Sequence, residues 1–351
     1  MMALFSSIRR SSKKRNPRSL RHLSRQIVPP RKLIFLICFL SASHELAAQE
    51  VRKRDPEKIH DPSQVLKEDG RYYFFSTGHG ISLVQEQPDA RWLPIASAFE
   101  RGKLPTWHQE LVPANRGYLW APDLLKIGET YFLYYSVSSF GKQRSAIGLL
   151  TGKTLNPKSP QWKWEDQGPI ITSDQNSPFN AIDPAIFRDD DGSLWITWGS
   201  FWNGLYLAEL HPETGKLLHP QKDHTQIAWA PKIEAPFLHR QGKYYYLFVN
   251  HGLCCRGLQS TYEIRVGRSQ SITGPYLDQE GNDLREAGGT ILLESHGNEI
   301  GPGHASILRR NDQEFLCYHY YSKDHRGASR FSLRPLFWKN GWPWVNLEGS
   351  Q

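Results

Sequence analysis

Three carboxylates stand in closely similar phrases of the chain: Asp61 in IHDPS, Asp183 in NAIDPAIF and Glu234 in IEAPF. A proline follows each acid by one or two residues, which restricts the backbone and favours an extended conformation. An isolated Asp-Pro is ordinarily a turn starter. Three acids placed by one device at matching points of a repeat call for more than turn chemistry. Acids gathered round one channel cannot all ionise at equal cost, so their pKa values separate. Such separation is what a general acid working beside a general base requires. Glycoside hydrolysis is the commonest chemistry that two carboxylates perform without a cofactor. An inverting pair must stand roughly 6.5–9.5 Å apart to admit a water. Strands facing each other across a narrow channel can provide that gap, so Asp61 and Glu234 suit the pair better than Asp183 and Asp189.

Near these acids the chain places Trp120, Phe140, Asn180 and the run Ser200-Phe201-Trp202. Aromatic faces stack on the C–H faces of sugars, and Asn and Ser can bond hydroxyls; core packing is the competing use of the aromatic residues. No GxSxG elbow, P-loop or dinucleotide fingerprint is present, so serine hydrolase, NTPase and Rossmann readings have no motif.

The elements that must carry the acids are read from a repeat. Five times an apolar run, a tight turn and an aromatic-rich run follow a polar head, at Asp61, Asp123, Asp183, Glu234 and His304. Each copy is a hairpin signal. Strands recurring at about 60 residues, with no amphipathic helix between them, predict blades in a ring. The expected fold is all-β, a single five-bladed β-propeller over residues 51–351 with its active site at the central channel. Four strands per blade fit the spacing, and the final run, 331–344, is expected to close the ring against strands near the N-terminus.

The formal net charge of +8 is a property of the tail. Residues 1–54 carry a net +11 and the remainder a net −3, so nucleic-acid binding has no support from a basic face. Arg31-Lys32, the apolar run 33–40 and small residues up to Ala48 make residues 1–50 a basic n-region and signal peptide. The apolar run is too short for a membrane span, which takes roughly 20 residues. The expected location is therefore secreted or periplasmic. Cys38 would leave with the signal, and Cys254, Cys255 and Cys317 form no disulfide framework. A vicinal bridge between Cys254 and Cys255 is one reading; two small buried thiols is the preferred one.

The order and spacing of IHDPS, LWAPD, YYSVSSFG, FNAIDPAIF, GSFWNGL, IEAPF, CCRG, STYEIRVGRS and GPGHASI resemble the endo-α-1,5-L-arabinanases of glycoside hydrolase family 43, over residues 59–345. The resemblance implies a five-bladed propeller that cleaves internal α-1,5 linkages of arabinan, a pectin side chain, with inversion. It implies Asp61 as general base, Glu234 as general acid and Asp183 as the acid that tunes Glu234. It also implies substrate contacts at Asn180, Ala181, Ile182, Ser200, Phe201 and Trp202, with Phe140 and Gly141 at a matching loop. His304 matches a channel histidine associated with one hydrated calcium ion; no organic cofactor is implied, and a monomer is expected. Asp123 inherits no catalytic role. Two alternatives remain: an exo-acting arabinofuranosidase or β-xylosidase on the same fold, and a non-catalytic carbohydrate-binding propeller, which would have no need of three acids.

Overall fold

The computed structural model of the chain describes residues 57–347 apart from residues 101 and 223; the expected signal segment 1–50, with Cys38, lies outside the described residues. Five antiparallel sheets follow one another along the chain. Blade I runs from Leu66–Glu68 to Trp92–Ser97, and blade II from Tyr118–Ile127 to Trp164–Ser173, with the short strand Gly78–His79 added at its inner edge. Blade III spans Ala185–Arg188 to Thr225–Ala228, blade IV Ile233–Gln241 to Thr290–Leu293, and blade V Glu299–Arg310 to Trp342–Val345. The sheets are the expected five blades of four strands, with one strand extra.

The hairpins form where the turn residues tolerate left-handed backbone. Asp69-Gly70, Asn311-Asp312 and Asn340-Gly341 all have positive φ, the conformation that two-residue turns between twisted strands require. The second strands are largely buried. Thr130–Val137 is covered along nearly its whole length, as its unbroken apolar character predicts. Among the described residues five buried clusters occur, and each fills chiefly one blade interface. The first strands of blades II to V touch in succession, so what stands at their beginnings converges.

Ring closure differs from expectation. The run from Phe331 pairs within blade V, where Phe337 faces Trp344 across the Asn340-Gly341 turn. Blades V and I are joined by packing instead: Phe331 lies against Phe74 at 4.5 Å and Trp92 at 5.1 Å. Arg310 also pairs with Glu86 at 2.7 Å. The cysteines differ too. Cys254 and Cys255 are joined as a disulfide, and Cys255 is exposed. They lie in a surface loop between two blade IV strands rather than within a strand, so the core does not enclose them. Cys317 is free and buried.

Candidate active site

The inner strands share a conformational device: Asp61, Ala121, Asp183 and Ala235 each precede a proline, and where an extended backbone was expected it is left-handed. Asp61, Ala121, Asp183, Ala235 and His304 all have φ between 40° and 59°, a region uncommon for residues with a Cβ. In blades II, IV and V the ladder slips at this point, between Trp120 and Asp123, Glu234 and Phe237, and Gly303 and Ser306. Such bulges re-aim side chains. The device also corrects the alignment of the heads: Glu234 stands one residue before the left-handed position and Asp123 two beyond it. Asp123 is accordingly engaged elsewhere. Its carboxylate accepts from Gln64 N at 2.9 Å, Gln64 Nε2 at 2.8 Å and Ile186 N at 2.7 Å. It therefore clips blades I and III to blade II. Burial pushes its pKa up to about 6 against those bonds.

Asp61 is surrounded by three imidazoles and a hydroxyl. His60 Nδ1 lies 2.7 Å from Oδ1, and Thr77 Oγ1 donates to Oδ2 at 2.5 Å. The Thr77 hydroxyl in turn accepts from Ala121 N at 2.8 Å. His304 Nδ1 and His319 Nδ1 each stand 3.6 Å from Oδ1. Burial alone would raise the pKa of Asp61. The charge and hydrogen bond of His60, with the charges of His304 and His319, outweigh it and hold this carboxyl well below the usual range.

Glu234 has the opposite environment. It is buried, faces Asn250 across the ladder and receives one hydrogen bond, from Ser200 Oγ to Oε2 at 2.6 Å. Burial first, then the charge of Asp61, raise its pKa to about 7, although Ser200 and His60 oppose the shift. Asp183 is fixed through its own N–H to Ser136 Oγ at 3.0 Å, and its Oδ2 accepts from Ala235 N at 3.2 Å. Burial, Glu234 and Asp61 push it well above the carboxylate range. The three acids thus lie within each other's fields, Asp61 held ionised and the Glu234–Asp183 pair raised and titrating together.

The remaining expected residues divide by exposure. Phe140 is 81% exposed and Trp202 43% exposed, so both present free ring faces; Gly141 is exposed and Trp120 and Phe201 are half-buried. Left-handed backbone at Phe201 and Trp202 turns the loop so that Ser200 reaches Glu234 while Trp202 faces outward. Gly204 closes that loop where a Cβ would strike the Ala228 carbonyl. Asn180, Ala181 and Ile182 are buried. Asn180 Oδ1 accepts from Ser145 Oγ at 2.7 Å, and Ala181 lies in the core between blades II and III. Ala181 therefore positions the segment and offers no side-chain surface. A cleft of about 800 Å³ beside the 139–145 loop meets this region at Ser145 but contains none of the three acids.

His60, His319, Thr77 and Tyr321 are site residues that the sequence reading missed. His60 is adjacent to Asp61 in IHDPS, the one signal available. His319 and Tyr321 sit in the aromatic run YHYY, which reads as core. His60, Asp61 and His319 stand close enough to hold a metal ion; His304, the expected metal residue, is not in that group and lies beside Asp61 rather than apart from the acids. Two imidazoles and one carboxylate suit a borderline ion better than calcium, which takes six to eight oxygens. A calcium ion here would have to keep most of its waters. His319 Nε2 is buried without a protein partner among the described residues, a place for one such water.

The sequence signature of the glycosyl hydrolases family 43 matches residues 56–343. The chain is 40% identical over 324 residues to the extracellular exo-α-(1→5)-L-arabinofuranosidase of Cellvibrio japonicus, covering 88% of this chain and 91% of that protein. It is 38% identical over 295 residues to the extracellular endo-α-(1→5)-L-arabinanase 1 of Bacillus subtilis, covering 82% and 87%. The solved structure of the Cellvibrio cellulosa α-L-arabinanase complexed with arabinohexaose superposes with a TM-score of 0.77 at 39% identity, over 82% of this chain and 95% of that one. With its five blades, its three converging acids and this likeness along nearly all the described residues, the chain belongs to glycosyl hydrolases family 43.

Proposed function

We propose that the protein is an inverting endo-α-1,5-L-arabinanase. The observation that carries this reading is the contrast between Asp61, held ionised by its donors, and Glu234, raised to about 7 by burial and by Asp61. Asp61 takes a proton from a water poised at the anomeric carbon. Glu234 gives its proton to the glycosidic oxygen as the C–O bond breaks. Water adds to the face opposite the leaving group, so the configuration inverts. Asp183 shares charge with Glu234 and keeps its proton available near neutrality. Trp202 and Phe140 offer exposed aromatic faces to arabinofuranose rings.

Endo action is supported by the Bacillus subtilis relative; the exo name of the Cellvibrio japonicus relative, at similar identity, favours a second reading, an exo-acting arabinofuranosidase. Linear debranched arabinan separates them. Endo action releases a ladder of oligosaccharides early in the reaction, exo action releases one small product throughout, and no release overturns both. Following the anomeric proton signals of the first product tests inversion.

Residues 1–50 are proposed as a signal peptide and the protein as secreted or periplasmic. Both are supported by the charge and hydropathy of that segment and by relatives named extracellular; mass spectrometry of the exported N-terminus tests them. No helix among the described residues is long and apolar enough to cross a membrane. The protein is further proposed to act as a monomer, which light scattering tests, and to bind a hydrated calcium ion beside His304. In that place the ion would add positive charge near the base; no catalytic step is assigned to it.

A further inference from the structure

We infer that Tyr321 and His60 are positioning residues for the base, a relay that begins at the backbone of Cys255. Cys255 N–H donates to Tyr321 Oη at 2.7 Å. Tyr321 Oη lies 2.7 Å from His60 Nε2, and His60 Nδ1 lies 2.7 Å from Asp61 Oδ1. In the neutral imidazole the three bonds run one way: amide to phenol, phenol to Nε2, and Nδ1–H to the carboxylate. An ionised Asp61 can only accept, so His60 carries its proton on Nδ1, and Nε2 of the neutral ring is left to accept from the Tyr321 hydroxyl. That tautomer is the one able to hold Asp61.

The relay is built to be stiff. Tyr321 is buried, and its burial raises its pKa, so the phenol keeps its proton. The imidazole of His60 stacks on that of His319 at 3.8 Å, and His319 Nδ1 accepts from Asp61 N at 3.2 Å. The ring that holds the carboxylate thus rests on the ring that holds its backbone. The Cys255 N–H is itself oriented by a left-handed residue in a disulfide-bonded pair. Both nitrogens of His60 are engaged, so its role here is that of a hydrogen-bonded spacer. Asp61 has few conformations left, and the water it activates meets one lone pair in one direction. Groups that pre-set a reacting atom in this way act on the rate at saturation more than on substrate affinity.

This inference rests on Asp61 as the base, so Asp61→Ala accompanies the test. Tyr321→Phe, His60→Ala and His60→Asn are compared with wild type on an aryl arabino-oligosaccharide, whose departure needs no acid, with folding checked by circular dichroism and Tm. Tyr321→Phe and His60→Ala are expected to lower kcat by about 10- to 100-fold with KM within about twofold, the scale of a misplaced reacting group. His60→Asn, whose amide nitrogen can stand where Nδ1 stood, is expected to recover a large part of the loss. A merely structural role would lower Tm and leave kcat of the folded protein unchanged. Wild-type kcat in folded Tyr321→Phe, or His60→Asn as impaired as His60→Ala, overturns the relay while Asp61→Ala is inactive. An active Asp61→Ala overturns the base itself.

Discussion

The backbone N–H of Ala235 donates to Asp183 Oδ2 at 3.2 Å, so the residue next to Glu234 in blade IV is tied to the carboxylate that heads blade III. One hydrogen bond fixes the spacing of two acids that come from different sheets. Their titration is coupled as a result: each raises the cost of ionising the other, and the proton of the pair is lost late.

Replacing Asp183 by asparagine keeps an oxygen to accept from Ala235 and removes the shared negative charge. Tm should stay near wild type. Glu234 should lose its proton more easily, so the alkaline limb of the kcat/KM profile should move to lower pH. A limb that stays in place or moves upward would contradict the coupling.

Ser200→Ala should act with the opposite sign. The Ser200 hydroxyl donates to Glu234 Oε2 at 2.6 Å, a bond that favours the ionised form. Without it the pKa of Glu234 rises above about 7, and the alkaline limb should move to higher pH. The pH–rate profiles of the two variants, measured together, check both signs; movement in the same direction would refute the assignment of that limb to Glu234.

Asp123 provides a stability prediction. Its folded pKa of about 6 lies above the unfolded value of about 3.9. Its contribution is therefore complete below the unfolded pKa and is lost as pH rises through about 6. Glu234, raised to about 7, has the same sign over a range reaching slightly higher. Asp61, held low, has the opposite sign: its contribution is present above about pH 3.9 and lost as the solution is acidified further. Tm should therefore peak in mild acid. Asp123→Asn should flatten the decline between about pH 4 and 6, and should cost about 1–3 kcal/mol because its amide hydrogens would face buried donors. Thermal scans across pH check this, with kcat of the folded variant expected to be unchanged.

The five hairpins and the convergence of Asp61, Asp183 and Glu234 were legible because each depends on local residue types: turn formers between β-prone runs, and acids followed by proline. Asp123, given no catalytic role, was aligned with the other heads for a physical reason. A bulge shifts side-chain direction by one residue without changing composition; the mark of the left-handed position was the residue before proline, Ala121 and Ala235 as well as Asp61 and Asp183, and not the acid. His319 and Tyr321 were hidden in an aromatic run because a strand one residue deep in the sheet needs apolar character on both faces. Thr77 and His60 reach Asp61 through tertiary geometry that spacing does not encode. The disulfide was misjudged because adjacent cysteines look alike whether their loop is buried or exposed.

Metal removal tests the channel ion. If a hydrated calcium ion stands beside His304, exhaustive chelation should lower both kcat and Tm, and added calcium should restore them. Unchanged activity and Tm after chelation would remove the ion from the account. Restoration by zinc alone would move the site to the imidazole pair.

The division of labour between Asp61 and Glu234 is tested most directly by kcat/KM of Glu234→Ala on two substrates, linear arabinan and an aryl arabino-oligosaccharide with a good leaving group. Without the acid, cleavage of arabinan must expel an alkoxide, and kcat/KM should fall by about 10²–10⁴-fold, the usual contribution of a positioned acid. The aryl group departs unaided, so the loss there should be within about tenfold of wild type. Equal losses on the two substrates would contradict Glu234 as the proton donor.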